Sequence, residues 1–215
     1  MTKLCIFDLD GTLINSLPTI AYYANLALSE SGLEPIDEEK YRYFIGDGKK
    51  NLIHRALAYY DRDTKEDFEK VIKSYDAHYE ADTMYLTKAY DGVEELISFL
   101  KKRDTKIAIC SNKPHNVVCD IAKLLFGDSI DFVQGQKETV PIKPAPDSVF
   151  AIMQKLEVEK EDCIFIGDTN VDMQTAKNAG IKSIGVLWGF RDEAELKDAK
   201  ADIIVSHPLE ILKFI

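Results

Sequence analysis

The stretch that decides the fold is Leu4-Cys5-Ile6-Phe7-Asp8-Leu9-Asp10-Gly11-Thr12-Leu13, close to the start of the chain. A short apolar run ending in carboxylates indicates a buried strand, and parallel sheets contain strands of this kind. Ligands bind beyond the carboxyl ends of parallel strands, which is where Asp8 and Asp10 stand. Alternation along an extended chain puts both side chains on one side, and Gly11 lets the backbone turn sharply past a ligand. A strand ending in a polar turn would look the same, so this pair alone does not establish a function.

Strands and helices alternate along most of the remaining sequence. Apolar runs predict strands at 3–8, 106–110, 130–134, 163–167, 183–187 and 202–205. Helical periodicity predicts helices at about 91–102, 115–125, 147–156, 170–179 and 207–214. This alternation is typical of an α/β fold with a doubly wound parallel sheet, that is, a Rossmann-like core.

Residues 16–86 interrupt the alternation. They contain no convincing strand, and their apolar residues recur at helical spacing. We therefore predict an α/β core formed by residues 1–15 and 87–215, with an all-helical insertion at 16–86.

Composition excludes several classes of protein. The 215 residues carry a formal net charge of -10, which disfavours binding to nucleic acids and to anionic membranes. The four cysteines form no Cys-x-x-Cys pair, so we expect buried thiols in a reducing compartment. No apolar run approaches the length of a membrane span, and no secretory signal is recognisable. We therefore expect a cytoplasmic protein.

A second acidic pair occurs in Gly167-Asp168-Thr169-Asn170-Val171-Asp172. Asp168 follows a predicted strand, and Asp172 lies one helical turn further along the chain. Asp168 or Thr169 could cap the helix that begins here, but we expect capping not to account for an acid at the position of Asp172.

Two further stretches each follow a predicted strand and precede a helix. Ser111-Asn112-Lys113 offers a hydroxyl and an amide that could hold a phosphate at a helix N-terminus. Lys143-Pro144-Ala145-Pro146-Asp147 presents a lysine on a loop stiffened by two prolines. Either stretch alone is also ordinary loop composition.

Taken together in this order, the four stretches resemble the haloacid dehalogenase superfamily of aspartyl-nucleophile hydrolases, and the resemblance covers nearly the whole chain. The insertion is similar to the helical cap of that superfamily. Several stretches are closest to its phosphoglycolate phosphatase-like group: Ile45-Gly46-Asp47-Gly48, Ser111-Asn112-Lys113, Lys143-Pro144-Ala145-Pro146-Asp147, Ala176-Lys177-Asn178-Ala179-Gly180 and Gly185-Val186-Leu187-Trp188-Gly189.

The resemblance implies a Mg²⁺-dependent phosphatase acting on a small phosphorylated metabolite through an aspartyl phosphate. Asp8 would be the nucleophile, Asp10 the acid and base, and Lys143 the cation that offsets the charge of Asp8. The implied metal ligands are the Asp8 carboxylate, the Asp10 carbonyl, Asp168, and Asp172 directly or through water. The implied phosphate-binding groups are Ser111, the Asn112 amide, Gly11 and Thr12.

The insertion is expected to select the substrate. Lys49, Lys50 and Arg55 lie on or beside the loop Gly46-Asp47-Gly48, and Lys49 and Arg55 in particular could reach a second anion on a substrate. The alternative is that all three are solvated helix surface. In that case the tyrosine-rich parts of the insertion would carry specificity: Tyr22, Tyr23, Tyr41 and Tyr43.

Several other functions stay open. Pyrophosphatases and nucleotide or sugar phosphatases of the superfamily share most of these features. A dehalogenase would not need Asp10, and the same residue disfavours a phosphonate hydrolase, although Lys49 keeps that possibility. A phosphomutase usually has histidine at the position of Ile20. A phospho-accepting receiver module would carry its aspartate in mid-chain, and a monomer and a homodimer are equally compatible with the sequence.

Overall fold

The apolar run Leu4–Phe7 forms a central strand of a six-stranded sheet. All four of its residues are buried, as expected for a strand covered on both faces.

The computed structural model describes residues 2–215. Its strands are β1 (Leu4–Phe7), β2 (Ile14–Asn15), β3 (Lys88–Ala89), β4 (Lys106–Pro114), β5 (Phe132–Gln136), β6 (Cys163–Gly167), β7 (Lys182–Val186) and β8 (Ile203–Val205). Its α-helices are α1 (Leu17–Glu30), α2 (Glu38–Tyr41), α3 (Lys49–Ala58), α4 (Lys65–Ala81), α5 (Val93–Lys102), α6 (His115–Phe126), α7 (Asp147–Leu156), α8 (Asn170–Ala179) and α9 (Glu193–Asp198).

The large sheet is parallel throughout, with the strand order β5-β4-β1-β6-β7-β8. The chain winds outward from β1 to β4 and β5, then returns to the other side of β1 and continues through β6, β7 and β8. This confirms the predicted doubly wound, Rossmann-like fold. Where the winding direction reverses, the connections leave the sheet in opposite directions and open a crevice at the carboxyl ends of the strands. That crevice lies beside β1, β4 and β6.

The chain divides into two compact units. The α/β unit comprises the chain up to Asn15 together with Ala89–Ile215, and the helical unit is Ser16–Lys88. In the helical unit α1 packs on α4, and their tyrosines contribute to the packing. The rings of Tyr23 and Tyr79 meet edge to face with centroids 5.9 Å apart. Such aromatic pairs stabilise a small helical unit beyond the apolar area they bury.

Four details differ from the sequence prediction. Strand β4 continues to Pro114 instead of ending at residue 110, because a bulge after Cys110 lets it resume pairing with β5. Helix α9 was missed; it has one buried residue, too few to produce a periodic pattern. The helix predicted at 207–214 is a 3-10 helix, Pro208–Lys213. The two-residue strands β2 and β3, which pair in a separate sheet, are too short to recognise in a sequence.

The core of the α/β unit packs helices α7 and α8 on the sheet. Ile6 of β1 and Phe165 of β6 are fully buried in one cluster with Val149 and Ile152 of α7. Burial of such side chains stabilises a fold by about 1.5–3 kcal/mol each. This packing holds the ends of β1 and β6, and therefore the acids that follow them, at fixed positions.

Replacing a side chain in this cluster should destabilise the whole unit. We expect Ile6→Ala to lower the free energy of unfolding by about 2–5 kcal/mol, because the lost contacts leave a cavity. Leu124→Ala is the control, since Leu124 is 68% exposed and its removal should change stability by less than about 0.5 kcal/mol. Denaturant titration of both variants measures the difference, and equal losses would contradict this account of the core.

Candidate active site

The crevice brings together side chains from distant parts of the sequence. Asp8 follows β1, Ser111 lies in the bulge of β4, and Asp168 follows β6. Lys143 comes from the segment between β5 and α7, and Asp172 from the first turn of α8. All five residues are buried.

Lys143 forms the centre of this group. Its ammonium lies 2.7 Å from Oδ1 of Asp172 and 2.9 Å from Oδ1 of Asp8, and its side chain is only 2% exposed. Burial alone would lower the pKa of Lys143, but the carboxylates of Asp172 and Asp8 outweigh that effect and raise its pKa above the ordinary value. The two carboxylates therefore favour the charged form of Lys143.

Asp172 also has a structural task that the sequence analysis underestimated. Its Oδ2 accepts hydrogen bonds from the backbone N–H (3.0 Å) and hydroxyl (2.8 Å) of Thr169, as the third residue of a capping box that begins α8. The expectation that capping cannot account for an acid at this position is therefore wrong. Because Oδ1 faces Lys143 and Oδ2 faces Thr169, the carboxylate joins the helix terminus to the lysine.

Asp168 is fully buried and is oriented by two donors. The hydroxyl of Thr12 donates to Oδ1 at 3.0 Å, and the N–H of Phe190 donates to Oδ2 at 2.8 Å. Burial, reinforced by the charges of Asp172 and Asp8, raises the pKa of Asp168 well above its ordinary value. The Thr12 hydroxyl, expected among the phosphate-binding groups, is thus directed at Asp168.

The two carboxylate oxygens of Asp8 have different surroundings. Its Oδ1 accepts from the N–H of Leu9 at 2.7 Å and faces Lys143. Within residues 2–215, the part of the chain that the structure describes, no group donates a hydrogen bond to Oδ2 of Asp8. Burial raises the pKa of the Asp8 carboxyl to about 7, although Lys143 acts in the opposite direction.

The buried group carries more negative than positive charge. Asp8, Asp168 and Asp172 each offer an oxygen within 4.8 Å of the others, while in the described residues Lys143 is the one cation that pairs with any of them, namely with Asp8 and Asp172. Buried carboxylates need a counter-charge or a proton. When all four groups are ionised, three carboxylates and one ammonium carry a net charge of -2, which one divalent cation would balance.

Asp10 forms an ion pair with Lys113, a residue that the sequence analysis did not single out. The ammonium of Lys113 lies 2.8 Å from Oδ1 and 3.0 Å from Oδ2 of Asp10, and the two side chains are 7% and 13% exposed. The neighbouring acids Asp8 and Asp10 are therefore each opposite a separate lysine. The signal available in the sequence was the position of Lys113 directly after Ser111-Asn112.

The bulge of β4 presents Ser111 and Asn112 in different ways. The Ser111 oxygen accepts from the N–H of Lys113 at 3.3 Å, which leaves its own proton for a ligand. The Asn112 carboxamide faces the backbone of Lys143 instead, accepting from its N–H at 2.8 Å and donating to its carbonyl at 3.1 Å. The Asn112 side chain is thus bonded to the loop that carries Lys143.

Two glycines allow the backbone to approach Asp168. A Cβ on Gly11, whose φ is +84°, would lie 2.2 Å from Oδ2 of Asp168. A Cβ on Gly189 would lie 2.3 Å from Cβ of Asp168 and 2.4 Å from the carbonyl oxygen of Gly11. A side chain at Gly11 would displace the Asp168 carboxylate, and one at Gly189 would also press on the Gly11 backbone. Gly189 therefore supports the site although no role had been predicted for it.

The cations expected to bind substrate in the helical unit have partners there. Lys49 lies 2.7 Å from Asp76, and the guanidinium of Arg55 binds both Asp47 and the carbonyl of Phe44. Lys50 is exposed and forms no ion pair within residues 2–215. Two of the three predicted cations are thus held by contacts inside their own unit.

A comparison with protein families identifies the chain. The model described as haloacid dehalogenase-like hydrolase matches residues 5–186. This chain belongs to that family. The match includes all of β1 except Leu4, together with β4, β6 and β7, and so contains each of the buried acids and Lys143.

Several proteins are similar to this chain over most of its length. The phosphoglycolate phosphatase of Rhodospirillum rubrum is 32% identical and aligns with 90% of this chain and 83% of its own length. That of Pseudomonas putida is 30% identical over 99% of this chain and 79% of its own. The crystal structure of a candidate phosphoglycolate phosphatase from Lactobacillus delbrueckii superimposes with a TM-score of 0.96 at 29% identity, covering 100% of this chain and 99% of the other.

Within residues 2–215 of this hydrolase, no helix is both long and apolar enough to cross a membrane.

Removing the Asp8 charge should flatten the pH dependence of stability when divalent cations are chelated. An unfolded aspartate releases its proton near pH ~4, whereas the folded Asp8 has a pKa raised to about 7. Between these values the folded state holds more protons, so the free energy of unfolding falls as the pH rises. Urea titrations at several pH values should show a steeper fall for the wild type than for Asp8→Asn. Parallel curves would contradict the raised pKa.

Proposed function

We propose that this chain is a Mg²⁺-dependent phosphatase that hydrolyses a small phosphate monoester, phosphoglycolate being the first candidate, through an aspartyl phosphate on Asp8. The observation that supports this most is the buried group of three carboxylates around one ammonium. Such a group can offset the negative charge of a phosphoryl group only when a cation completes it. The open Oδ2 of Asp8 is available to that cation or to phosphorus.

Each polar residue has a distinct proposed role in the reaction. The Asp8 carboxylate attacks phosphorus, and the bond from phosphorus to the leaving oxygen breaks. Asp10, which follows β1 on the same turn, gives its proton to the leaving oxygen and later takes one from the water that hydrolyses the aspartyl phosphate. Ser111 donates its hydroxyl proton to a phosphoryl oxygen, and Lys143 offsets the charge of the transferring group.

The donor set suits Mg²⁺, which prefers oxygen ligands and keeps several waters. The Asp8 and Asp168 carboxylates and the Asp10 carbonyl would hold the ion, with Asp172 contributing its charge. When bound, the ion neutralises phosphoryl charge and so lets an anionic nucleophile approach an anionic substrate. Asp168 and Asp172 are both fully buried, so their charges act on a bound cation with little screening by solvent.

The substrate assignment rests on the relatives named phosphoglycolate phosphatase. We propose the helical unit Ser16–Lys88 as the cap that tests the leaving group, since the α/β unit already contains the residues needed for phosphoryl transfer. Phosphoglycolate carries a carboxylate in its leaving group, so a cation outside the reacting centre would favour it.

Metal-dependent hydrolysis is the direct test. With Mg²⁺ present we expect phosphate release from phosphoglycolate to exceed release from pyrophosphate, nucleoside monophosphates and sugar phosphates, and to stop on addition of EDTA. Asp8→Asn should abolish phosphoenzyme formation, whereas Asp10→Asn should keep Asp8 and lose most activity on poor leaving groups. Full turnover in the chelator would contradict the metal, and normal turnover by Asp8→Asn would contradict the nucleophile.

The paired cations of the helical unit provide a test of substrate selection. If Arg55 binds the substrate carboxylate, Arg55→Gln should lower kcat/KM for phosphoglycolate by about ten- to a hundredfold, the loss typical of a charged hydrogen-bonding partner. Activity on p-nitrophenyl phosphate, which has no second anion, should change much less.

The matched control separates binding from structure. Asp47→Asn combined with Arg55→Gln removes both members of the ion pair, so no unpaired charge is left. Recovery of phosphoglycolate hydrolysis in the double variant would show that Arg55 is structural. The same comparison applies to Lys49 with Asp76, while Lys50→Met tests the exposed lysine directly.

A further inference from the structure

The side chain of Asn112 is bonded to the main chain of Lys143. Its carboxamide oxygen accepts from the Lys143 N–H at 2.8 Å, and its nitrogen donates to the Lys143 carbonyl at 3.1 Å. The two residues are 31 positions apart, and Asn112 is 6% exposed. Paired hydrogen bonds to one residue define both the distance and the orientation of its backbone.

The loop that carries Lys143 has few other constraints of this kind. Residues 137–146, between β5 and α7, contain neither helix nor strand. Asn178 donates to the carbonyl of Pro144 at 2.8 Å, from an exposed position on α8. Asn112 is therefore the buried side chain that links the Lys143 backbone to strand β4.

The position of the Lys143 backbone matters because its ammonium must fit between two carboxylates. The ammonium lies within 2.9 Å of both Asp8 and Asp172. A displacement of about 1 Å in a reacting site can reduce rates by about a hundredfold. The hydrogen bonds from Asn112 fix the Lys143 backbone, and the two carboxylates fix its ammonium. The Lys143 side chain therefore has little conformational freedom.

We propose that Asn112 is a positioning residue that acts through Lys143 and does not bind the phosphoryl group with its side chain. Its chain neighbour Ser111 is the hydroxyl assigned to the phosphoryl oxygens. Asn112 thus sets the distance between that hydroxyl and the Lys143 ammonium across the bulge of β4. The inference rests on the proposed function for its consequences in catalysis, but the contact itself can be tested without substrate.

A double-mutant cycle distinguishes positioning from direct binding. We expect Asn112→Ala to lower kcat on p-nitrophenyl phosphate by roughly ten- to a hundredfold, and Lys143→Ala to lower it further. The variant carrying both changes should be no slower than Lys143→Ala, because Asn112 has nothing left to position. Losses that multiply would overturn the proposal, since they would mean that Asn112 contacts the substrate independently of Lys143.

Asn178→Ala is the matched control in the same assay. It removes an asparagine bond to the adjacent residue of the loop but leaves both bonds to Lys143 intact. We expect its kcat to stay within about twofold of the wild type, as for an exposed hydrogen bond of small net value. A loss as large as that of Asn112→Ala would overturn the proposal in favour of general loop stiffness.

Hydrogen exchange tests the contact without any substrate. The Lys143 N–H should exchange roughly tenfold faster in Asn112→Ala, the change expected when one hydrogen bond is lost. Asn112→Asp keeps an accepting oxygen and should preserve the protection of that N–H. An unchanged exchange rate of the Lys143 N–H in Asn112→Ala would overturn the proposal. If Asn112→Ala does not fold, Asn112→Asp decides the question: loss of protection of the Lys143 N–H in that variant would overturn the proposal. A wild type inactive on every phosphate ester would contradict the proposed function, and the exchange result would still decide the role of Asn112.

Discussion

The site depends on placing one ammonium among three buried carboxylates. Lys143 lies within hydrogen-bonding distance of Asp8 and Asp172, and Asp168 lies close by. Removing these charges from water costs free energy that only opposite charge and hydrogen bonds can offset. Much of the surrounding structure supplies these compensations, including the Thr12 hydroxyl, the Phe190 N–H and the capping box at Thr169. Burial and the mutual repulsion of these carboxylates raise the pKa of Asp8 and of Asp168.

Each loop of the site is held by an element of the sheet. The bulge of β4 interrupts pairing with β5 between Cys110 and Pro114, and so turns Ser111, Asn112 and Lys113 out of the regular ladder. Gly11 and Gly189 let the turns after β1 and β7 lie against Asp168. Precision in this site therefore comes from rigid strands and close backbone contacts, as expected for a centre that must orient a phosphoryl group.

Pairing inside the helical unit changes how its cations should be interpreted. A lysine or arginine near a glycine-rich loop suggests an anion site in a sequence, yet Lys49 and Arg55 each face an aspartate of the same unit. Their partners, Asp76 and Asp47, lie 27 and 8 residues away in the sequence. A substrate anion that binds Lys49 or Arg55 would have to compete with these carboxylates.

The sequence by itself determined the alternation of strands and helices, the parallel sheet and the family. These follow from local patterns: apolar runs define the buried strands, and acids at the ends of β1 and β6 mark the edge where ligands bind. Only the tertiary structure decided which charge faces which. Lys113 pairs with Asp10 across 103 positions, Asn112 binds the backbone of Lys143, and Asp172 divides its oxygens between a lysine and a helix terminus. Such partnerships depend on the bulge in β4 and on the path of the loop from β5 to α7, which no periodicity encodes. Hydrogen bonds and ion pairs act over about 3 Å, so they are settled by the final packing of segments far apart in the chain.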